Sequence, residues 1–342
     1  MSNVSTVRIM MASYNGEKYL RKQIESIINQ SYQNWSLIVQ DDGSKDKTWE
    51  ILEEYCKQDS RITRRRSPED KHGAYYNFHS IANQEKESGK AYDYYMFCDQ
   101  DDLWDNDKIE RMLFRVQKEK SEQPVFCYAD MRVIDEYDKE KISSICKAQG
   151  LKYINKESLF FSHNVYGCNT IMNRKAFYSI PLIDTKQKWL SILSHDNLYA
   201  KFSGILGKVI YYPETTMGYR RHGENVTSKH TYGFGIRRVL KRMLGLQDLA
   251  KDHARTYCQS LVAVKLLRER WAELEILNGK DEERKLEELS ELDEIERAIK
   301  TGGLSTLKWI KNKNISWGNK TKDISHKVIL GLCLYKKYLM DI

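Results

Sequence analysis

Apolar and polar positions in the first third of the chain follow two alternating patterns. A continuous apolar run at residues 7–12 predicts a buried strand. It is followed by apolar residues at helical spacing, which predict an amphipathic helix that begins near Glu17: Leu20, Ile24, Ile27 and Ile28. A second strand is predicted at residues 35–39, and Asp46 can cap a helix after it that carries Ile51, Leu52 and Tyr55. Two consecutive strand–helix units predict a parallel sheet.

Two further strands extend this α/β pattern. Residues 61–65 form a short candidate strand, and the aromatic run that ends at Cys98 forms a longer one. Apolar residues at helical spacing then mark another helix: Ile109, Met112, Leu113 and Val116. A doubly wound sheet binds its ligands at the carboxyl ends of its strands, so we expect a site at that edge.

The strand that ends at Cys98 runs directly into three carboxylates within four positions, Asp99, Asp101 and Asp102. Carboxylates this close repel one another unless a hard divalent cation neutralises them. Mg²⁺ or Mn²⁺ held in this way often completes its coordination with phosphate oxygens. The alternative is an acidic turn before a helix, which is the commoner explanation of an isolated Asp-x-Asp.

Two other strand ends carry compatible groups. Tyr14 can stack on a base, and Asp42 can accept a hydrogen bond from the imide N–H of uracil or thymine. Taken singly, Tyr14 can equally be a packed aromatic and Asp42 a turn residue. Together with the acidic cluster they indicate a pyrimidine nucleoside diphosphate. No Gly-x-Gly-x-x-Gly or Walker motif is present, so neither a dinucleotide fold nor a P-loop is supported.

Composition limits the remaining classes. The 342 residues, 41% of them hydrophobic, suffice for one large domain and a smaller one. The net charge of +8 suggests a phosphorylated substrate, an anionic membrane or nucleic acid, but the basic residues are dispersed and no nucleic-acid recognition motif accompanies them. Residues 1–6 are polar and no apolar run reaches about 18 residues, so we expect a cytoplasmic protein without a leader or membrane span. Seven scattered cysteines argue against a disulfide framework and a zinc site.

The motifs at residues 10–16, 39–46 and 99–101, in this order, resemble the inverting glycosyltransferases of family two, which have the GT-A fold. The extension through Asp102, Leu103 and Trp104 is similar to bacterial rhamnosyltransferases that build cell-wall and capsular polysaccharides. The resemblance covers about residues 7–230. It implies a mostly parallel, Rossmann-like α/β sheet with a nucleotide-sugar half at 1–105 and an acceptor half at 106–230, followed by a helical region at 231–342.

The resemblance also implies a donor site. A cation near the nucleotide is expected among Arg66, Lys71 and His72, and Mg²⁺ or Mn²⁺ is expected on Asp99, Asp101 and His222. A dTDP- or UDP-sugar, most readily dTDP-L-rhamnose, would contact the residues at matching positions: Ser13, Tyr14, Asn15, Asp42, Lys71, Asp99, Gln100, Asp101 and Arg221.

An inverting transferase needs a general base for the acceptor hydroxyl, and Asp196 is our candidate. The alternative is that Asp196 only caps its helix. His195 stands where the family usually carries an acid. The acceptor side is expected to include a small-residue strand and two aromatic rings: Gly167, Cys168, Asn169, His195 and Trp104. Arg220, Arg221 and His222 suit a diphosphate or a third metal ligand, or form a solvated basic turn.

The last third predicts helices. A short basic amphipathic helix at 236–244 fits either an anionic membrane surface or docking on the catalytic domain. Two longer helices, over 257–274 and 282–300, predict a hairpin whose apolar seam packs within the chain or makes a homodimer. Residues 328–334 can rest on a membrane or be buried.

We therefore expect a metal-dependent, inverting rhamnosyltransferase that acts on a growing, lipid-linked glycan at the inner face of the membrane. A transferase of UDP-galactose, UDP-glucose or a UDP-amino sugar would keep every motif. A catalytically silent glycan-binding or scaffold protein is the alternative outside enzymes.

Overall fold

The computed structural model describes residues 4–68, 71–120, 122–151, 155–162, 165–222, 246–275, 282–318 and 320–340. Its strands are β1 (Val7–Ser13), β2 (Trp35–Asp41), β3 (Ile62–Arg66), β4 (Tyr94–Cys98), β5 (Leu103–Trp104), β6 (Val125–Ile134), β7 (Glu140–Ile142), β8 (Thr170–Asn173) and β9 (Lys208–Arg220). Its α-helices are α1 (Leu20–Ile28), α2 (Thr48–Gln58), α3 (Ala74–Glu87), α4 (Lys108–Val116), α5 (Ile145–Gln149), α6 (Ser158–Phe161), α7 (Arg174–Ser179), α8 (His195–Leu206), α9 (Leu246–Glu275), α10 (Glu282–Thr301), α11 (Gly303–Asn312) and α12 (Lys320–Gly331).

Within these residues the nine strands form one sheet, in the order β3-β2-β1-β4-β8-β6-β9-β5, with β7 attached to β6. The first four are all parallel, and β1 lies between β2 and β4, with Met10 opposite Ile38 on one side and Phe97 on the other. The carboxyl ends of β1, β2 and β4 therefore meet at one edge. The predicted parallel α/β half is confirmed.

The second half of the sheet is mixed. Antiparallel β8 joins β4 to β6, and β9 runs parallel to β6. The two-residue strand β5 pairs with Met217 and Gly218 of β9, which brings the chain after the acidic cluster against the end of β9. Such a short strand has no periodicity to recognise, so the sequence did not indicate it.

Two local predictions need correction. The first helix begins at Leu20, not near Glu17, because residues 17–19 form a turn. Asp46 is not the N-cap of α2, a position that Lys47 occupies. Instead, the Asp46 carboxylate accepts the backbone N–H of Thr48 at 3.0 Å and that of Glu17 at 3.0 Å, and so ties the two turns together.

The sheet is buried on both faces. Met10 and Phe97 point into one apolar layer and Ile9 and Met96 into the other, each with 0% of its surface exposed. This agrees with the continuous apolar runs of β1 and β4, since a parallel strand covered on both faces needs no polar side.

The C-terminal helices pack on the first of these layers. Ser260 of α9 donates to the carbonyl of Phe160 at 2.7 Å, and the indole of Trp317 donates to that of Phe161 at 2.6 Å. Val264 and Leu267, on the predicted apolar seam, are at most 1% exposed and belong to the same core. The predicted hairpin helices are thus present, and their seam is covered within the chain.

Two other predictions for the C-terminal region concern residues 328–334 and the basic helix at 236–244. In the predicted segment 328–334, Ile329 and Leu330 are buried, whereas Leu332 is 65% exposed. The basic helix expected at 236–244 lies outside the described residues. Among the helices that the structure describes, none combines the length and apolarity of a membrane span.

Candidate active site

Three strand ends form what we call the donor edge, residues 13–16, 41–44 and 99–102. Hydrogen bonds between backbone and side chains connect the first two segments. The N–H of Asn15 donates to the Ser44 hydroxyl at 2.9 Å, and the Asn15 side-chain oxygen accepts the N–H of Lys45 at 2.8 Å. Asn15 has a φ of 47°, a conformation that Asn tolerates better than most residues. Asn15, which was predicted to contact the donor, therefore also connects the ends of β1 and β2.

Gln100 connects the first and third segments. Its amide accepts the N–H of Tyr14 at 2.9 Å and donates to the carbonyl of Tyr14 at 2.8 Å. A Cβ on Gly16 would lie 2.2 Å from the Gln100 side-chain oxygen, so glycine leaves room for this contact. Gln100 therefore holds the Tyr14 backbone, and the Tyr14 side chain is left 51% exposed at the site.

The two aspartates after β2 have different partners. Asp41 is fully buried, pairs with Arg66 and the hydroxyl of Ser44, and lies 3.3 Å from the hydroxyl of Ser13. Asp42 is 3% exposed, and its carboxylate accepts the N–H of Gly73 at 2.7 Å. The same carboxylate lies 3.0 Å from Nδ1 of His72. Each carboxylate oxygen has two lone pairs, so these bonds leave Asp42 able to accept another N–H.

The expected cations near the nucleotide are therefore engaged. Arg66 neutralises Asp41, and His72 contacts Asp42. Lys71 is exposed, and its ammonium donates to the carbonyl of Lys186 at 3.1 Å, which links the loop before α3 to the acceptor half. In this structure Lys71 thus bridges two loops at the surface.

The acidic cluster after β4 is strongly charged and poorly solvated. Donor atoms of Asp99, Asp102 and Cys168 all lie within 4.8 Å of one another. Burial, and then the charges of Asp101 and Asp196, raise the pKa of Asp99 to about 7. Burial also raises the pKa of Asp102 well above its usual range. The carboxylates therefore compete for protons or for a cation.

Lys108 is a buried cation beneath this cluster that sequence reasoning missed. Its side chain is 0% exposed, and its ammonium donates to the carbonyl of Cys168 at 2.9 Å and to the side-chain oxygen of Asn169 at 2.8 Å. Burial lowers the pKa of Lys108 to about 8, while the charge of Asp102 opposes that shift. The available signal was a lysine next to Ile109, at the start of an apolar helix face.

The other side of the cluster pairs Asp101 with the chain after β9. His222 Nε2 lies 2.7 Å from a carboxylate oxygen of Asp101, and the two side chains remain 13% and 16% exposed. Arg220 is fully buried, and its guanidinium donates to the carbonyl of Asp101 at 2.7 Å. The suggestion that Arg220 contacts a diphosphate is therefore wrong for this structure. Arg221 is partly exposed beside it.

The candidate base lies across from these acids on a second surface, the base wall, which we define as residues 166–169 and 194–197. Asp196 is 7% exposed, and its carboxylate accepts the N–H of Gly167 at 2.9 Å and that of Asn197 at 2.6 Å. The N-cap of α8 is Ser194, and Asp196 stands in the first helical turn. The base wall adjoins the acidic cluster through Cys168, whose sulfur lies within 4.8 Å of carboxylate oxygens of Asp99 and Asp102. The charge of Asp196 contributes to the raised pKa of Asp99, after burial and the charge of Asp101.

The other residues expected on the acceptor side are mostly interior. Gly167–Asn169 form a 3-10 turn before β8, not the expected strand. Cys168, Asn169 and Trp104 are at most 4% exposed, and the ring of His195 stacks on Phe78 at 4.0 Å. The amide of Asn169 donates to the carbonyl of Asp130 at 2.7 Å. These side chains support the base wall from behind.

Glycine at position 167 is explained by this packing. A Cβ there would lie 2.4 Å from the Nε2 of His195 and 3.3 Å from the Cβ of Asp196. The backbone of the turn can therefore approach the Asp196 carboxylate directly. The result is one carboxylate fixed by backbone N–H groups, on a wall that adjoins the acidic cluster through Cys168. A carboxylate held in this way can accept a proton.

Comparison with known proteins identifies the family of this chain. The family model described as glycosyl transferase family 2 matches residues 8–180. The dTDP-rhamnosyl transferase RfbG of Shigella flexneri is 29% identical to this chain over a stretch that covers 65% of this chain and 76% of RfbG. A second relative is the UDP-Glc:alpha-D-GlcNAc-diphosphoundecaprenol beta-1,3-glucosyltransferase WfgD of Escherichia coli. It is 28% identical over a stretch that covers 58% of this chain and 74% of WfgD.

A solved structure agrees at the level of the fold. TarS residues 1–349 of S. aureus, crystallised with UDP-GlcNAc, superpose with a TM-score of 0.50 and 11% identity over 98% of this chain and 93% of that one. The expected family and GT-A fold are confirmed. The chain belongs to glycosyl transferase family 2 and is a glycosyltransferase.

Proposed function

We propose that this enzyme transfers a sugar, with inversion, from a nucleoside diphosphate sugar to a glycan hydroxyl in polysaccharide biosynthesis, and that the donor is dTDP-L-rhamnose. The observation that supports the inverting mechanism is the Asp196 carboxylate, fixed by two backbone N–H groups on a wall whose Cys168 adjoins Asp99 and Asp102. The similarity to a dTDP-rhamnosyl transferase supports the choice of donor.

The donor edge suits a pyrimidine nucleotide. The exposed ring of Tyr14 offers a stacking surface, and the remaining lone pairs of Asp42 can accept the imide N–H of thymine or uracil. Ser13, Asn15 and Gln100 keep these two groups in place through the bonds described above. Arg221 is assigned to the diphosphate, because it is the partly exposed guanidinium next to His222.

The residues present fit a divalent cation. Asp101 and His222 offer an oxygen and an imidazole nitrogen that are already adjacent and partly exposed, and Asp99 lies close enough to feel the charge of Asp101. Mg²⁺ and Mn²⁺ accept such carboxylate ligands, and imidazole favours Mn²⁺ of the two. A bound cation would stabilise the negative charge of the departing diphosphate.

The buried group of Asp99, Asp102 and Cys168 is a less suitable place for the ion. Burial raises the pKa of the Cys168 thiol well above its usual range, and hard cations prefer oxygen to a neutral thiol. One Asp102 oxygen already accepts the N–H of Arg220 at 3.0 Å. We therefore assign the metal to Asp99, Asp101 and His222.

Asp196 acts as the general base in this proposal. It accepts the proton of the acceptor hydroxyl as the oxygen attacks the anomeric carbon on the face opposite the diphosphate, so that substitution occurs in one step. Hydrogen bonds from Gly167 and Asn197 fix the carboxylate without neutralising it.

A donor panel tests the proposal. Purified enzyme is given dTDP-L-rhamnose, UDP-glucose, UDP-galactose, UDP-N-acetylglucosamine and GDP-mannose, with Mg²⁺ or Mn²⁺ and membranes that contain acceptor, and release of each nucleoside diphosphate is measured. We expect kcat/KM for dTDP-L-rhamnose to exceed the others by about tenfold or more, equivalent to at least about 1.4 kcal/mol. A preference for GDP-mannose would refute the assignment of a pyrimidine base to the donor edge.

UDP-glucose is the second candidate donor, because one relative is named as a transferase of UDP-Glc. Uracil and thymine present the same imide edge, so Asp42 does not separate them. The panel decides between them, since the two donors differ in both the base and the sugar.

The acceptor is proposed to be a growing lipid-linked glycan, with the enzyme peripheral at the cytoplasmic face of the membrane. The basic amphipathic pattern at 236–244 supports this part of the proposal. Sedimentation of the full chain with anionic and neutral vesicles tests it. Replacing Arg237, Arg238, Lys241 and Arg242 together by Gln should abolish binding to the anionic vesicles, and unchanged partitioning would contradict it.

A further inference from the structure

A cavity of about 400 Å³ lies outside the donor edge, between helix α9, the turn at 188–192 and the C-terminal segment. Helix α9 contributes Lys251, Arg255 and Cys258 to its lining. The other lining residues are Ser191, Ile192, Tyr338 and Met340. The cavity therefore joins the C-terminal helical region to the chain segment that leads into the base wall.

One half of this cavity is cationic. Lys251 and Arg255 are one helical turn apart and both exposed, so they present their charges on the same face of α9. Lys251 forms an ion pair with Asp248 at 3.9 Å, and because 86% of the Asp248 side chain is exposed this pair is weak. In the described part of the chain no carboxylate forms an ion pair with Arg255. The positive charge is thus available to an anion.

The other half is apolar. Ile192 is half-buried, Met340 is 42% exposed, and the sulfur of Cys258 lies between helix and tail, where it accepts the N–H of Met340 at 3.2 Å. A cation pair beside exposed aliphatic surface suits a phosphate that carries an alkyl chain. It suits a free inorganic anion less well, since the apolar wall would then contribute nothing.

The cavity is coupled to the candidate base through two contacts. The guanidinium of Arg255 donates to the hydroxyl of Tyr75 at 2.8 Å. Burial raises the pKa of Tyr75, the charge of Arg255 opposes that shift, and the charge of Asp196 adds to it, so Tyr75 interacts electrostatically with both side chains. On the next turn of α9, the side-chain oxygen of Gln259 accepts the N–H of Ser194 at 3.4 Å.

We propose that this cavity binds the phosphate and the first lipid carbons of the acceptor, so that the attached glycan extends past Tyr75 toward Asp196. The proposal rests on the proposed function, because it assigns a subsite to the lipid-linked acceptor. Arg255 is the principal phosphate ligand, Lys251 adds the second charge, and Ile192 and Met340 contact the alkyl chain.

Octyl phosphate is the probe that tests this subsite. The full-length protein is first saturated with dTDP and Mg²⁺ so that the donor site is filled, and octyl phosphate, inorganic phosphate and octyl glucoside are titrated separately by calorimetry. We expect octyl phosphate to bind about tenfold more tightly than either of the others, because only it engages both halves of the cavity. Equal binding of inorganic phosphate would overturn the lipid assignment.

Variants locate the binding. Arg255→Gln and Lys251→Gln should each weaken octyl phosphate by about five- to tenfold, whereas Lys265→Gln, an exposed lysine on the same helix, should leave its affinity unchanged. Thermal unfolding of each variant shows that the fold is kept, and both target residues are exposed. Equal affinities in Arg255→Gln and Lys265→Gln would place the binding elsewhere and refute the proposal.

The measurement also separates the two proposals. Octyl phosphate binding involves no turnover, so its failure would leave nucleoside diphosphate release from the donor panel intact. Conversely, absence of turnover with every donor, together with Arg255-dependent binding of octyl phosphate, would refute the proposed reaction and retain the anionic subsite.

Discussion

The donor edge and the base wall are built in different ways. At the donor edge, bonds connect different strand ends, as those of Gln100 to the Tyr14 backbone and of Asn15 to Ser44 do. The carboxylates of this edge bond to residues outside it, including Arg66 and His222. At the base wall, the carboxylate of Asp196 depends on a turn whose side chains are buried and held by distant groups, including Lys108.

The difference shows that a motif side chain can hold other residues of a site in place. Gln100 lies between two acidic residues, yet its amide is used on the backbone of Tyr14. Asn169 is part of the base wall, and its side-chain amide accepts a hydrogen bond from Lys108 and donates one to the carbonyl of Asp130. Bonds between residues distant in the sequence stabilise the donor edge, whereas buried side chains and the bonds from Gly167 and the adjacent Asn197 to Asp196 stabilise the base wall.

The largest effect should come from the base wall itself. Asp196→Asn keeps the shape of the side chain and removes its ability to take a proton, so we expect kcat to fall by roughly 10²- to 10⁴-fold. Nucleoside diphosphate release in the presence of acceptor measures it.

Asp107→Asn, at an exposed carboxylate before α4, is the matched control and should retain full activity. Wild-type turnover of Asp196→Asn would show that the general base lies elsewhere, and the base wall would then have no catalytic role to compare with the donor edge.

Loss of the buried cation should affect folding. Lys108→Met removes the donor to the Cys168 carbonyl and one of the two donors to the Asn169 side-chain oxygen, which keeps the Thr216 hydroxyl at 2.7 Å. Because a buried charged donor is lost beside buried carboxylates, we expect the free energy of unfolding to fall by about 3 kcal/mol. Urea denaturation measures this change.

The control is Lys118→Met, at an exposed lysine just after α4, which should change stability by less than about 0.5 kcal/mol. Similar stabilities of the two variants would mean that the base wall does not depend on the lysine beneath it.

Two buried histidines allow the catalytic part and the C-terminal helices to be compared by pH. Burial lowers the pKa of His79 in α3 to about 3, and burial lowers that of His253 in α9 to about 3 as well. Their folded pKa values lie below the unfolded value of about 6.5, so the stability they contribute is present above that pH and is lost as the pH falls toward 3.

We therefore expect each histidine to reduce the free energy of unfolding by about 2 kcal/mol between pH 7 and pH 5. His79→Gln and His253→Gln should each remove about half of the pH dependence due to the pair, as followed by denaturation at several pH values. If only one of the two variants loses pH dependence, only the histidine replaced in that variant remains unprotonated until the protein unfolds globally.

The smallest effect concerns the contact between Gly16 and Gln100 at the donor edge. Gly16→Ala should displace the Gln100 amide from Tyr14 and cost about 1 kcal/mol, and Gln100→Ala should cost a similar amount. In the double variant the second change should cost almost nothing, which is a coupling energy of about 1 kcal/mol. Additive costs would show that the two residues act independently.

The periodicity of the chain was sufficient for much of the fold. The strands at 7–13, 35–41 and 94–98 and the helix at 108–116 follow directly from runs of apolar residues, because burial on one or both faces leaves a local trace in the sequence. The strand β5 and the 3-10 turn at 167–169 left no such trace. They are two and three residues long and owe their conformation to pairing with β9 and to the contact with Asp196.

By itself the sequence determined which segments are buried, the order of the three strand-end motifs and the family they resemble, because each of these is encoded in neighbouring residues. Only the tertiary structure showed that Gln100 serves Tyr14, that Arg220 and Lys108 are buried, and that Arg255 reaches Tyr75. The partner of a long polar side chain depends on which distant backbone or carboxylate is brought within hydrogen-bonding distance of it. The cost of burying a charge decides how many such partners are required.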